Sequence, residues 1–129
     1  MSLETLAGQD RKYWQAAAQN ARKRIETRLF IDGKFVEAAK GGRFTTVNPA
    51  NGEPLAEMSA GTADDIDRAV AAARRAFKSG VWSRLAPRAR MDILYRFATL
   101  VDQHAQQLSV LETLDMGKPI ADVIGRDLP

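Results

Sequence analysis

Asp115 is the acidic residue whose position in the sequence most strongly suggests chemistry. It follows an apolar stretch that predicts a helix, and it comes just before Met116 and Gly117, where we expect that helix to end. A helix carries partial negative charge at this end, so a partly buried carboxylate there needs a compensating partner. That partner is a bound monovalent cation or a basic side chain; otherwise Asp115 is exposed or accepts a backbone hydrogen bond.

No complete catalytic group can be assembled from the remaining residues. The sequence contains no cysteine, which excludes disulfides, thiolate metal sites and a thiol nucleophile within these 129 residues. His104 is the single histidine, and its polar surroundings between two predicted helices favour an incidental role. Asp64 and Asp65 begin a predicted helix, where the positive helix end accounts for both acids. We therefore predict no catalytic and no cofactor-binding residues in this chain.

Composition indicates an ordinary folded protein of about one domain. Hydrophobic residues make up 45% and charged residues 27%, and no apolar stretch has the roughly 18 residues that a membrane span needs. The first residues have neither a basic leader nor an apolar core, so no secretory signal is visible. We expect a cytoplasmic protein without a membrane partner.

A basic segment near the N-terminus leaves two interpretations open. The net charge is +3, and much of the excess lies in this segment, at Arg11, Lys12, Arg22, Lys23, Arg24 and Arg28. A solvated helix face explains these charges best, because few aromatic residues are interleaved with them, and we expect no nucleic-acid partner. An autonomous basic helical module that binds nucleic acid is kept as an alternative.

The first sixty residues predict one helix and four short strands. An apolar stripe from Trp14 to Ile25 predicts an amphipathic helix, capped by Asp10, that we expect to lie as an appendage on a larger body. Asp32-Gly33 separates two strand-like runs at 29–36, which is typical of a two-residue hairpin turn. Two further strands are predicted at 43–47 and 54–58, joined by the turn residues of 48–52.

Helices are predicted over the second half. One begins after Thr62, with Asp65 completing a capping box, and ends at Gly80; its apolar stripe, expected to be buried, is Ile66, Ala69, Val70, Ala73 and Phe77. Another begins at Pro87, is apolar on two sides, and breaks near His104. A last helix begins at Pro119 and continues to Pro129 without an ending signal. Because these faces and hairpins need cover, we expect the chain to be the first part of a larger protein.

Several segments from residue 28 to residue 129 together resemble the aldehyde dehydrogenases. The segments, in order, are 29–35 (LFIDGKF), 46–53 (TVNPANGE), 64–77, Trp82-Ser83, 87–90 and 111–119 (LETLDMGKP). The resemblance implies an α/β fold, of which 28–129 forms the N-terminal part of the NAD(P)-binding domain, with strand hairpins at 28–60 and helices at 62–129. Residues 1–27 then form an N-terminal helical extension. Its Tyr13-Trp14-Gln15 makes the chain most similar to γ-glutamyl-γ-aminobutyraldehyde dehydrogenases of putrescine breakdown.

The resemblance also implies a function for the full-length protein. Family members oxidise an aldehyde to a carboxylic acid with NAD or NADP, using a cysteine and a glutamate in segments that follow this one. The fragment itself is therefore expected to be inactive, with the remainder of its own chain as partner in a homo-dimer or tetramer. Members often hold a structural Na⁺ or K⁺ at positions matching the Val47 carbonyl and the Asp115 carboxylate. A non-catalytic assembly subunit remains the other alternative.

Overall fold

The computed structural model describes residues 2–128, which form an α/β arrangement of helices and two-stranded sheets. This confirms the predicted fold class. In chain order the elements are α1 (Leu3–Ala7), α2 (Arg11–Arg22), β1 (Leu29–Ile31), β2 (Lys34–Val36), β3 (Arg43–Val47), β4 (Pro54–Ser59), α3 (Ala63–Ser79), α4 (Pro87–Gln103), α5 (Ala105–Met116) and α6 (Ile120–Asp122). A single π-helical turn, Val123–Asp127, follows α6. Strand β1 pairs with β2, and β3 pairs with β4.

The chain divides into two compact units, each made of separate stretches of the sequence. The first unit comprises the chain up to Ile25, Thr46–Ala56 and the chain from Tyr95 onward. The second comprises Glu26–Thr45 and Glu57–Leu94. The N-terminal helices therefore share a unit with the last helices, rather than standing apart from them.

In the first unit, helix α2 is packed into the structure and is not the appendage we expected. Buried Leu6, Ala105 and Ile124 form a cluster, against which Tyr13 and Trp14 of α2 pack. The predicted cap is confirmed, because Asp10 Oδ1 accepts a hydrogen bond of 2.8 Å from the amide of Tyr13. The helix ends at Arg22, before the expected end near Ile25, in a tight turn that the sequence does not mark with glycine or proline.

In the second unit, the β1–β2 hairpin has the predicted turn. Asp32 and Gly33 both have positive φ, 55° and 75°, and the strands pair antiparallel with Phe30 opposite Phe35. Helix α3 follows the predicted cap at Thr62 and ends at Gly80, also as predicted.

The expected burial of the α3 stripe is wrong for this chain. Ile66, Val70 and Phe77 are 60%, 56% and 73% exposed, whereas the buried residues of α3 are Asp65 and Ala72. The physical reason is that no element of residues 2–128 covers the apolar face of the helix.

Helix α4 begins at Pro87 as predicted and contains no buried residue, although much of its surface is apolar. The predicted break is confirmed at His104, whose amide bonds the carbonyls of both Leu100 and Val101 before α5 begins. After Pro119 the chain forms one short α-turn and the π-turn instead of one long helix, and the part of the prediction at Pro129 lies outside the described residues. None of the helices within residues 2–128 is long and apolar enough to cross a membrane.

Candidate functional site

The turn between β3 and β4 is fixed by its own polar side chains. Asn48 Oδ1 accepts a hydrogen bond of 2.9 Å from the amide of Ala50, and the carbonyl of Asn48 accepts one of 2.7 Å from Gly52. The amide of Asn48 donates across the strand ends to the carbonyl of Glu53 at 2.9 Å. Short side chains that bond the nearby backbone favour such turns, so the sequence predicts this geometry locally.

Helix α5 ends directly beside this turn. Gly117 has φ 77° and donates its amide to the carbonyl of Thr113 at 3.0 Å, which gives the helix a left-handed end. A Cβ on Gly117 would lie 2.9 Å from Cγ of Pro49, closer than side chains pack. The glycine is therefore required both by its backbone conformation and by the close approach of the turn.

Thr46 joins the two elements through the predicted site residue Asp115. The hydroxyl of Thr46 donates a hydrogen bond of 2.9 Å to Asp115 Oδ1. Val47, the other predicted residue, directly follows Thr46 and is 48% exposed. The structure thus brings Asp115 to the immediate chain neighbour of Val47, across 69 residues of sequence.

Two details of the Asp115 prediction are corrected. We expected partial burial, but the side chain is exposed. The observed partner is the neutral hydroxyl of Thr46, and no lysine or arginine of the described residues forms an ion pair with Asp115. The hydroxyl partner was missed because nothing in the local pattern around Thr46 distinguishes it from any other polar strand residue.

The donor set at this position fits a hard monovalent cation. Asp115 Oδ1 is engaged by Thr46, whereas no hydrogen bond within residues 2–128 reaches Oδ2. A carboxylate oxygen and a backbone carbonyl are oxygen ligands of the kind that such cations prefer. No three histidine, cysteine, aspartate or glutamate side chains lie close together anywhere in the described part of the chain. These residues therefore form no site for a metal ion that needs several such ligands.

Among the described residues, Asp65 is an acidic residue whose contacts serve the fold. Its carboxylate is buried and accepts hydrogen bonds from the amide and hydroxyl of Thr62, both at 2.9 Å, and from the amide of Ala39. Arg68 lies 3.2 Å away. The backbone amide of Thr62, above all, lowers the pKa of Asp65 from its ordinary value. The ionised carboxylate of Asp65 thus connects the start of α3 to the β2–β3 loop. This agrees with the prediction that Asp65 belongs to the start of a helix.

Two of the six basic residues near the N-terminus are engaged with their own chain. The guanidinium of Arg22 donates to the carbonyl of Pro54 at 2.7 Å. Arg28 pairs with Glu26 at 2.7 Å and lies over the ring of Phe35. The hydrogen bonds from Arg28 lower the pKa of Glu26 to about 2. These contacts give Arg22 and Arg28 roles within the fold that need no nucleic-acid partner.

His104 occupies the junction between α4 and α5, exposed and without a side-chain hydrogen bond to the helix start. The sequence has no cysteine, and no acidic side chain of residues 2–128 forms an ion pair with His104, so neither a thiol nor a His–carboxylate pair is available for nucleophilic catalysis among them. Among the described residues, Thr46, Val47 and Asp115 therefore form the candidate site, as the contact between Thr46 and Asp115 places them together.

Comparisons with known proteins agree along the chain. A model of the aldehyde dehydrogenase family matches residues 35–129. The NADP/NAD-dependent aldehyde dehydrogenase PuuC of Escherichia coli (strain K12) is 44% identical over 117 residues, which are 91% of this chain and 23% of the relative. The structure of γ-glutamyl-γ-aminobutyraldehyde dehydrogenase from Burkholderia cenocepacia J2315 is 43% identical with a TM-score of 0.84, over 100% of this chain and 24% of that one.

A second solved structure is similar over most of the chain. Indole-3-acetaldehyde dehydrogenase from P. syringae, in complex with NAD⁺, is 49% identical with a TM-score of 0.83, over 90% of this chain and 23% of that one. This chain therefore spans about a quarter of the length of the relatives that it matches.

Proposed function

The chain belongs to the aldehyde dehydrogenase family, and we propose that it is the N-terminal segment of an enzyme that oxidises an aldehyde to a carboxylic acid. NAD or NADP, bound by residues outside this chain, accepts the hydride. The observation that carries the proposal is the agreement in fold over 100% of the chain with a family enzyme, at a TM-score of 0.84. Sequence and three-dimensional similarity support the same family.

The proposed substrate is an amino aldehyde of the γ-aminobutyraldehyde type, from putrescine breakdown. The support comes from residues 1–34, which the family model does not include, because its match begins at residue 35. The γ-glutamyl-γ-aminobutyraldehyde dehydrogenase is nevertheless similar over the whole chain, including helix α2 with Tyr13 and Trp14. A feature outside the common family region is more informative about subfamily than a feature within it.

This segment contributes structure and no reacting group. The nucleophilic cysteine lies outside these 129 residues, which contain none. Residues 28–129 supply hairpins and helices to the NAD(P)-binding domain, with 1–27 as an N-terminal extension. The apolar residues left exposed along α3 and α4 provide the surface against which the remainder of the enzyme packs. The whole enzyme is proposed to be a cytoplasmic homo-dimer or tetramer.

Val47 and Asp115 are proposed to hold a structural Na⁺ or K⁺. The exposed carboxylate at the negative end of α5 and the adjacent turn of β3 supply oxygen ligands, and a cation there offsets the charge of Asp115. Such an ion binds two elements that are far apart in sequence, so its contribution is to stability and not to the oxidation.

A chimera tests the proposal. The chain replaces the matching segment of the E. coli relative, and NADH formation is followed with an aldehyde substrate. We expect activity close to that of the unaltered relative, while the isolated chain produces no NADH. An inactive but folded chimera, or turnover by the isolated chain, would contradict the assignment.

A further inference from the structure

Arg22 forms a contact that its place in the basic segment does not predict. It is the last residue of α2, and its Nη2 donates a hydrogen bond of 2.7 Å to the carbonyl of Pro54. Pro54 is the first residue of β4 and lies 32 positions further along the chain. This charge-assisted hydrogen bond links the end of α2 to the start of β4.

Helix α2, which bears Arg22, is fixed to the helix that bears Asp115. Ala21, the neighbour of Arg22, is 5% exposed, and Tyr13 packs against the cluster that includes Ala105 of α5. The side chain of Gln106 in α5 donates to the hydroxyl of Tyr13. The two helices of the first unit are therefore held together at more than one point.

The β3–β4 turn is consequently held at both ends. At the end of β3, Thr46 bonds Asp115, and Pro49 lies against Gly117. At the start of β4, Pro54 is held by Arg22. Both attachments lead to packed helices. A rotation of the turn about one attachment would therefore break the contact at the other.

We propose that Arg22 is a positioning residue for the cation site: by holding Pro54 at the start of β4, it keeps the end of β3, with Thr46 and Val47, next to Asp115. This inference rests on the proposed binding of a cation by Val47 and Asp115. It assigns a role to helix α2, which precedes the region that the family model matches. The basic residue acts through the turn and makes no contact with the ion.

The test measures how K⁺ affects the turn. Hydrogen exchange at Gly52, which bonds Asn48, is followed by mass spectrometry of the peptide that contains it, with this chain placed in the chimera described above, while K⁺ replaces tetramethylammonium at constant ionic strength. Arg22→Met removes the donor but keeps the length of the side chain, Arg22→Lys restores a cationic donor, and Lys23→Met is the matched control. The wild-type chain should show slower exchange of Gly52 as K⁺ rises.

The outcomes separate the two proposals. We expect Arg22→Met to raise the K⁺ concentration of half effect about fivefold, the equilibrium equivalent of one hydrogen bond, with Arg22→Lys close to wild type and Lys23→Met unchanged. If Arg22→Met destabilises the fold but leaves that concentration unchanged, the role of Arg22 is refuted and the cation site stands. If exchange in the wild-type chain does not respond to K⁺, the proposed cation is refuted, and the inference about Arg22 with it.

Discussion

Replacing Gly117 with alanine adds two costs that glycine avoids at the end of α5. The first is conformational, because φ is 77° at this residue. The second is steric, because the new Cβ would lie 2.9 Å from Cγ of Pro49. Gly52 provides a matched control: its φ is 71°, and a Cβ there would meet nothing within 4 Å. The difference between the two variants isolates the contact between the turn and the helix.

The two costs can be given magnitudes. A left-handed conformation costs an L-residue about 1–2 kcal/mol, which is the full expected effect of Gly52→Ala. Forcing an extra methyl group into a packed contact adds about 1–3 kcal/mol. Gly117→Ala should therefore lower the free energy of unfolding by about 2–4 kcal/mol, roughly 1–2 kcal/mol more than Gly52→Ala, after partial relaxation of Pro49.

The assay is urea-induced unfolding followed by tryptophan fluorescence, carried out well below micromolar concentration so that the chain does not associate. A Trp82→Phe background leaves Trp14 as the reporter, and Trp14 belongs to the same unit as Gly52, Pro49 and Gly117. In a Pro49→Ala background the extra cost of Gly117→Ala should disappear, as expected for two residues in direct contact. Equal effects of Gly117→Ala and Gly52→Ala would refute the close approach of Pro49 to α5.

Two further predictions concern Asp65 and the exposed apolar surface. Because hydrogen bonds from Thr62 lower the pKa of Asp65, its contribution to stability is present above its ordinary pKa of 3.8 and is lost as the pH falls through the lower folded value. Asp65→Asn should reduce this acid dependence in urea titrations at several pH values, and an unchanged profile would contradict the assignment. The exposed apolar residues, including Phe30 at 65% and Phe77 at 73%, should make the isolated chain bind a hydrophobic dye and associate at micromolar concentration. A chain that stays monomeric in sedimentation analysis at that concentration and binds no dye would refute this expectation.

Most helix starts and turns could be predicted because a few adjacent residues determine them. Asp10 caps α2, Asp32 and Gly33 form the hairpin turn, and Gly80 ends α3, each through hydrogen bonds or dihedral angles within four residues. The expected end of α2 was about three residues too late, because nothing local marks Arg22 as the last helical residue. The five-residue α1 and the π-turn at Val123–Asp127 were not predicted, since neither has a distinctive sequence pattern.

The candidate site was predictable only in part. The position of Asp115 at a helix end follows from the apolar stretch and Gly117, and its pairing with Val47 came from the family resemblance. Thr46 as the hydrogen-bond partner, and Arg22 as the residue that holds Pro54, could not be predicted, because each contact joins residues separated by more than thirty positions.

The amino-acid sequence by itself determined the family, the α/β class and the local geometry, because caps, turns and motifs depend on residue types at short spacing. Only the tertiary structure decided that Asp115 is exposed, that Thr46 is its partner and that α2 is packed against α5. It also decided which apolar faces stay exposed, since burial depends on whether a distant part of the chain covers a surface. Helical periodicity identifies an apolar face, but it carries no information about the presence of a covering partner.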